Sequence, residues 1–321
     1  MPAVKPETAA TITDARDAAL ALLSGALRSK RAVDEKFDAL TSALERRDRA
    51  FVRLLVATAL RRLGQIDGVL ARFVNREPLP LVQDALRLGT AQALFLDTAP
   101  HAAVATTVEL VKRSGQGALA GFVNAVMRKV TAEGKAILAG QDAANLNTPA
   151  WLRDRWAAAF GDTTATEISS AHLLEPPLDL TLKKSDDTLA KLIGGEVLTT
   201  GTIRLRESGR IENLPGFEDG DWWVQDAAAA LPAKILLGAL GGGKDKTIAD
   251  LCAAPGGKTL QLAASRARVF AVDNAAKRLA LLKENLLRTK LNAEVITADA
   301  KTWQPPVPLD GVLLDAPCSA T

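Results

Sequence analysis

An apolar segment that runs directly into a glycine turn constrains this fold more than any other feature. Thr247-Ile-Ala-Asp-Leu251 has the composition of a buried strand, and Cys252-Ala-Ala-Pro-Gly-Gly257 follows it without a break. Adjacent glycines let the backbone turn tightly and approach a ligand with no Cβ in the way. We therefore predict a strand, a ligand-binding turn and a helix from about Lys258 to Ala264, as at the start of an α/β domain.

The same alternation of strand and helix continues to the end of the sequence. Apolar runs at 268–273, 294–297 and 309–315 predict three more strands, and 275–291 predicts an amphipathic helix. Strands joined in this way pair in parallel through right-handed crossovers. Because ligands of such sheets bind at the carboxyl ends of the strands, we expect the binding site there.

Carboxylates stand at the predicted carboxyl ends. Asp273 is placed to accept hydrogen bonds from two ribose hydroxyls, and Asp299 can accept from an exocyclic amine or make another cofactor contact. The turn is not a phosphate-binding loop, and it lacks the Gly-x-Gly-x-x-Gly of dinucleotide enzymes, which argues against a nicotinamide oxidoreductase. A cofactor with an amino-acid end, a ribose and an adenine but no phosphate fits better. We therefore predict S-adenosylmethionine.

The front of the chain has helical periodicity instead. From 13 to about 140 apolar residues recur at three- and four-residue spacing, which predicts an all-α bundle of five to seven helices. Asp14 can cap the first helix, and Gly115 can end the helix that contains Val108. Four strings in this region resemble the NusB-like domain: Asp48–Arg53, Leu86–Gly89, Ala91–Asp97 and Gly121–Arg128.

In the antitermination factor of that name the fold binds RNA, and the same is expected here by resemblance. The candidate phosphate contacts are basic residues of the first helices: Arg28, Lys30, Arg31, Arg46, Arg47 and Arg49. Plain solvated charge explains them equally well, since no aromatic residue is interleaved to stack bases.

Residues 141–224 predict a small α+β linker subdomain. Strands are predicted at 178–182 and 202–205, with a short helix at 189–193 between them. Near its start we expect one apolar helix face in the core, made by Trp151, Trp156 and Phe160. Trp222 and Trp223 are expected to pack against the next domain rather than to stack a nucleotide.

The two motifs of the back half resemble those of the RNA cytosine-C5 methyltransferases. They are Asp250-Leu-Cys-Ala-Ala-Pro-Gly-Gly-Lys-Thr259 and Leu313-Leu-Asp-Ala-Pro-Cys-Ser-Ala-Thr321. With the helical front, the chain resembles the RsmB (Sun/Fmu) family, whose members methylate a cytosine of 16S ribosomal RNA. Gln225 and Asp226, ahead of the cofactor strand, match that family too.

This resemblance implies three domains and a set of site residues. The domains are a NusB-like RNA-binding bundle at 1–140, the linker subdomain at 141–224, and an incomplete Rossmann-like methyltransferase domain at 225–321. The implied S-adenosylmethionine contacts are Cys252, Ala253, Ala254, Pro255, Gly256, Gly257, Lys258, Asp273, Asp299 and Asp315.

The expected chemistry depends on a thiol and a carboxylate. A thiolate that adds to cytosine C6 makes C5 nucleophilic towards a sulfonium methyl, and Asp315 can share a proton near N3. By resemblance Cys318 is the thiol that helps to release the product, while the nucleophile belongs to a later Thr-Cys motif that this sequence does not contain. In DNA cytosine-C5 methyltransferases the corresponding Pro-Cys thiol is itself the nucleophile, so attack by Cys318 stays open. Cys252 is expected to belong to the cofactor loop.

Four strands are fewer than the seven of this methyltransferase fold. We therefore expect the sequence to be a fragment of a longer protein, with weak or no turnover by itself. The alternative is a non-catalytic RNA-binding protein that kept a NusB-like module and a vestigial methyltransferase fold.

Composition supports a soluble globular class. Hydrophobic residues make up 48% and charged residues 24% of the sequence, and no apolar run reaches the roughly 18 residues of a membrane span. Two cysteines fit a reducing cytoplasm, and no clustered ligands predict a metal site. We expect a cytoplasmic monomer that acts on 16S ribosomal RNA.

Overall fold

The computed structural model describes residues 12–29, 32–206 and 210–316. The chain divides into two compact units, Met1–Glu175 and Pro176–Thr321.

The first unit is all helical in its described part. Its helices are α1 (Ala15–Ser29), α2 (Val33–Thr41), α3 (Arg46–Arg61), α4 (Leu63–Leu70), α5 (Pro80–Phe95), α6 (Pro100–Val111), α7 (Ala120–Ala139), α8 (Ala143–Asn147), α9 (Ala150–Phe160) and α10 (Asp162–Ala171). The predicted bundle is confirmed, since seven of these described helices fall between 13 and 140. Asp14 caps α1 through the Arg16 backbone N–H at 2.8 Å, and Gly115 adopts a φ of 78° in the turn after α6.

The predicted apolar stripes form the core of this bundle. Leu55 of α3, Leu86 and Leu88 of α5, and Met127 of α7 are all fully buried. Burial of such side chains is the main favourable contribution to folding, about 1.5–3 kcal/mol each.

The prediction that Trp151, Trp156 and Phe160 form one buried face of α9 is wrong for two of these residues. Trp151 is 55% exposed and Phe160 is 60% exposed, whereas Trp156 is half-buried and packs edge-on against His172. At 100° per residue, Trp151 and Phe160 lie on opposite sides of a helix, so no single face can bury both.

The second unit begins with a small antiparallel sheet. Its strands are β1 (Leu178–Leu182), β2 (Glu196–Val197), β3 (Ile203–Leu205) and β4 (Trp222–Val224), in the order β2-β3-β1-β4, with α11 (Asp187–Ile193) after β1. Sequence patterns predicted β1, β3 and α11 but missed the short strands β2 and β4. Trp222 is fully buried and Trp223 is 3% exposed, which agrees with packing rather than stacking.

A four-stranded parallel sheet follows. Its strands are β5 (Thr247–Leu251), β6 (Arg268–Asp273), β7 (Glu294–Thr297) and β8 (Gly311–Leu314), in the order β7-β6-β5-β8. Helix α12 (Leu231–Ala239) precedes β5, α13 (Gly257–Ala264) follows it, and α14 (Ala276–Thr289) follows β6. All four strands and the last two helices were predicted, and α12 was missed.

The strand register brings the carboxyl ends to one edge of this sheet. Leu251 of β5 pairs with Val272 of β6 and with Leu314 of β8, and Asp273 pairs with Thr297 of β7. The residues that follow each strand therefore meet at this edge. Within the described ranges, no helix is long and apolar enough to cross a membrane.

Candidate functional site

The glycine turn between β5 and α13 requires glycine at one position. Gly256 adopts a φ of 115°, and a Cβ built there would lie 2.3 Å from Cδ1 of Leu282 in α14. An L side chain would therefore strain the backbone and overlap a buried neighbour. Helix α13 begins at Gly257, immediately after the turn, so its amino end faces the carboxyl edge of the sheet.

Asp273 ties the turn to the end of β6. Its Oδ2 accepts a hydrogen bond from the Ala254 backbone N–H at 3.2 Å, and its Oδ1 accepts from the Ala275 backbone N–H at 2.8 Å. Arg278 in α14 lies 3.1 Å from the same Oδ1. The side chain is nearly fully buried, so these bonds fix where its carboxylate stands.

Asp250 is a buried carboxyl beneath the turn. Its Oδ2 accepts from the Thr259 hydroxyl at 2.5 Å, and desolvation by burial raises the pKa of Asp250 to about 6. The hydrogen bond and the nearby Lys258 ammonium oppose that rise but do not cancel it. The charged form is therefore costly here, because a buried carboxylate loses its hydration.

Asp315 forms an ion pair across the turn. The Lys258 Nζ lies 2.6 Å from its Oδ2, with the Lys258 side chain 15% exposed and that of Asp315 57% exposed. This pair joins the start of α13 to the residue after β8. The Asp315 carboxylate thus has one charged partner and one side open to solvent.

Asp299 lies beyond β7 and is exposed. Its Oδ1 accepts from the Lys301 backbone N–H at 2.9 Å, a local turn that orients the side chain. It borders the same cavity as Asp273 and Arg278.

Two cavities meet at Cys252. The smaller, of about 200 Å³, is lined by the turn itself together with Gln225, Asp250 and Asp315. The larger, of about 410 Å³, is lined by Asp273, Arg278, Asp299 and their neighbours. All cofactor residues predicted from the sequence therefore line one of these two cavities.

The Cys252 thiol is poorly suited to attack. Desolvation by burial raises its pKa, and the carboxylate of Asp273 raises it further. A thiol with a raised pKa stays protonated and is a weak nucleophile. Cys252 was predicted to belong to the cofactor loop, and the predicted catalytic thiol, Cys318, lies outside the described residues.

Sequence reasoning missed two partners and left one role unspecified. Two ion pairs were not predicted. Arg278 pairs with Asp273, and Lys258 pairs with Asp315. Gln225 accepts from the Trp223 indole N–H at 2.9 Å and donates to the Gln261 side-chain oxygen at 2.7 Å. Its match to a family pattern was the only signal that marked it.

The candidate RNA contacts of the helical unit differ in their surroundings. Arg28 is paired with the buried Asp84, and Arg49 lies 2.6 Å from Asp38. Lys30 and Arg31 lie outside the described residues. Among the residues described, no group of three or more His, Cys, Asp or Glu side chains is placed to hold a metal ion.

Two family models match this chain. Residues 13–132 match the NusB family, and residues 238–321 match the family described as 16S rRNA methyltransferase RsmB/F.

Curated proteins named ribosomal RNA small subunit methyltransferase B are similar over most of the chain. The protein from Sodalis glossinidius (strain morsitans) is 35% identical over 306 residues, which cover 88% of this chain and 69% of that protein. The one from Pseudomonas putida (strain KT2440) is 33% identical over 329 residues, which cover 95% of this chain and 74% of that protein.

Among solved structures, the crystal structure of PH0851 has a similar fold. It aligns with a TM-score of 0.65 and 21% sequence identity, over 95% of this chain and 74% of that chain.

Proposed function

This chain belongs to the family of small-subunit ribosomal RNA methyltransferases B, and on that premise we propose that it methylates C5 of a cytosine in 16S ribosomal RNA. The methyl donor is S-adenosylmethionine. The observation that carries the proposal is the meeting of a glycine turn, a helix amino end and three carboxylates at one edge of the parallel sheet.

The two cavities at Cys252 fit the parts of this donor. The Asp273 carboxylate at the end of β6 suits ribose hydroxyls, and the backbone N–H groups at the start of α13 suit a carboxylate. Asp299 in the larger cavity suits an exocyclic amine. When bound, S-adenosylmethionine supplies an electrophilic methyl group on a sulfonium.

Thiol and carboxylate groups of the enzyme do the rest. A cysteine thiolate adds to C6 of the cytosine, and Asp315 shares a proton at N3 as charge builds on the ring. C5 then takes the methyl group, loses its proton to a base, and the thiolate leaves to restore the C5–C6 double bond. Lys258 beside Asp315 holds that carboxylate at the mouth of the smaller cavity.

The attacking thiolate is not Cys252 in this proposal, because burial and Asp273 raise the pKa of that thiol and so disfavour its thiolate form. Cys318 has the helper role in product release. In the family that the chain resembles, the nucleophile belongs to a Thr-Cys motif, and residues 1–321 contain no such motif.

RNA is the proposed partner of the helical unit as well. The match of residues 13–132 to the NusB family supports this part of the proposal. A bound RNA substrate must present its target base unstacked, in a loop or extruded from a helix, for C6 to be reached.

Trapping with 5-fluorocytosine tests this function. The full product of the gene is incubated with S-adenosylmethionine and 16S ribosomal RNA containing 5-fluorocytosine, whose fluorine cannot leave as a proton does. We expect a protein–RNA complex that survives denaturation and forms only with the methyl donor. Methyl transfer to the RNA without any trapped complex would contradict the covalent mechanism.

Cysteine variants then assign the thiols. Cys252→Ser should still form the trapped complex. Cys318→Ser should also form it, and should accumulate it even on ordinary cytosine because release is impaired. Loss of the complex in Cys318→Ser would make Cys318 the nucleophile and remove its helper role.

A further inference from the structure

A third cavity of the second unit has no part in the chemistry above. It has a volume of about 340 Å³ and lies between the end of β1, the loop before β3, and helices α12 and α13. Its lining shares no residue with the two cavities at Cys252. It is therefore a separate place at which a ligand can bind.

The polar lining of this cavity is rich in hydrogen-bond donors. It contains two ammonium groups and several hydroxyls, from Thr181, Lys183, Ser185, Thr200, Lys234 and Ser265. None of the described residues that line it carries a carboxylate. Asp186 and Asp221 border a smaller neighbouring cavity of about 160 Å³, which Lys183 also touches. A cavity with two cations and no lining anion favours a negatively charged ligand.

The Thr181 hydroxyl has no hydrogen-bond partner in the described structure. Thr181 is 6% exposed, and its Oγ1 is buried. An unpaired buried hydroxyl costs about 1–3 kcal/mol, so such groups are normally satisfied by protein, water or ligand. Thr181 is one of the residues that line the cavity, so its hydroxyl is a candidate donor to an acceptor placed there.

The two lysines are held in place but lack a carboxylate partner among the described residues. Lys234 donates to the Thr200 backbone oxygen, and desolvation by burial lowers the pKa of Lys234. Lys183 donates to the Thr289 backbone oxygen at 2.6 Å. An ammonium carries three donors, so each lysine keeps two for an anion.

We propose that this cavity binds a phosphate of the RNA backbone. A phosphodiester brings two charged oxygens, which lysine ammonium groups and hydroxyl donors can satisfy together, as in other phosphate contacts of nucleic acids. This inference rests on the proposed RNA substrate. It adds a contact in the second unit that anchors the strand away from the reacting base.

The salt dependence of RNA binding tests the inference. The affinity of the full chain for 16S ribosomal RNA is measured by fluorescence anisotropy, without S-adenosylmethionine, across a series of salt concentrations. The slope of log K against log salt is negative, and loss of one phosphate contact is expected to reduce its magnitude by about 0.7 to 0.9. We expect this change in the Lys183→Gln, Lys234→Gln double variant.

Three further variants distinguish loss of the phosphate contact from a general loss of charge or of stability. Lys184→Gln removes one positive charge at a neighbour outside this cavity and should leave the slope unchanged. Lys234→Arg keeps the charge and should retain the wild-type slope. Thr181→Val removes the unpaired hydroxyl and should weaken RNA binding without lowering the midpoint of thermal unfolding.

Lysine acetylation with mass-spectrometric readout gives a second, direct measurement. RNA should protect Lys183 and Lys234 from acetylation, and inorganic phosphate at equal charge concentration should protect them less. Unchanged slopes in the double variant overturn the inference, as does protection by inorganic phosphate but not by RNA. Failure of the wild-type chain to bind RNA at all would instead count against the proposed function.

Discussion

Asp273 has two tasks, because the carboxylate proposed to hold a ribose also holds the cofactor turn. Both of its oxygens accept backbone hydrogen bonds, from Ala254 and from Ala275. Its position is thus set before any ligand arrives, which lowers the ordering cost of binding.

Asp273→Asn is expected to weaken S-adenosylmethionine binding at least about tenfold. The amide nitrogen cannot accept from the Ala254 N–H, so the turn loses one hydrogen bond. The charge-assisted hydrogen bond to the ribose is lost as well, and such bonds contribute about 1.5–3 kcal/mol. Isothermal titration calorimetry measures the change. Asp245→Asn, in the turn before β5, is the matched control and should bind as wild type.

Asp250 should make stability fall as pH rises. Its pKa is about 6 in the folded protein and about 4 when unfolded, so the folded state holds the extra proton between these values. Unfolding free energy therefore decreases from pH 4 to pH 6, by about 2 kcal/mol from this group. Asp250→Asn should remove that decrease. The unfolding free energy of the variant relative to that of the wild type should therefore rise from pH 4 to pH 6. Denaturant unfolding at pH 4 to 7 checks this, and parallel curves would contradict it.

Single residues were predictable where strand ends and motifs mark them. Asp273, Asp299 and Asp315 fall at the edge where the sequence put them, since parallel strands bring their ends together. The partners Arg278 and Lys258 were not paired in advance, because sequence does not reveal which charges meet across a sheet edge.

At the scale of elements, the turn between β5 and α13 is the most demanding. Gly256→Ala is expected to destabilise the protein by about 2–4 kcal/mol, because it adds left-handed strain and an overlap with Leu282. Gly238→Ala in α12 is the control: nothing lies within 4 Å of its added Cβ, so it should be neutral or slightly stabilising. Urea unfolding compares the two. Equal stability of both variants would mean that the turn adopts another conformation.

Elements with a clear sequence period were predictable, whereas the short strands β2 and β4 and the helix α12 were not. Strands β5, β6 and β7 have the predicted bounds because each contains a run of apolar residues, which is buried in β5 and β6 and half-buried in β7. Strands β2 and β4 have two and three residues, too few for a period to be read. Helix α12 was missed because Lys234 is the single polar residue among its nine, so its sequence shows no alternation of polar and apolar faces.

At the scale of the whole molecule, the two halves have different roles in the proposed function. The helical unit has arginines on its surface, and one of them, Arg28, is committed to the buried Asp84. The second unit holds the cofactor edge and the third cavity. The fold class of both was predictable because helical and strand periods differ. The expected apolar face of α9 was wrong because Trp151 and Phe160 lie on opposite sides of that helix, and both are exposed.

Mapping of the transferred methyl group tests methyl transfer to cytosine most directly. The full product of the gene is incubated with S-adenosylmethionine carrying a deuterated methyl group and with 16S ribosomal RNA from a strain that lacks the gene, and the nucleosides are analysed by mass spectrometry. We predict deuterated 5-methylcytidine at a discrete site, strongly reduced with Asp273→Asn. Label on a base nitrogen or a ribose oxygen, or an RNA without label, would contradict the account.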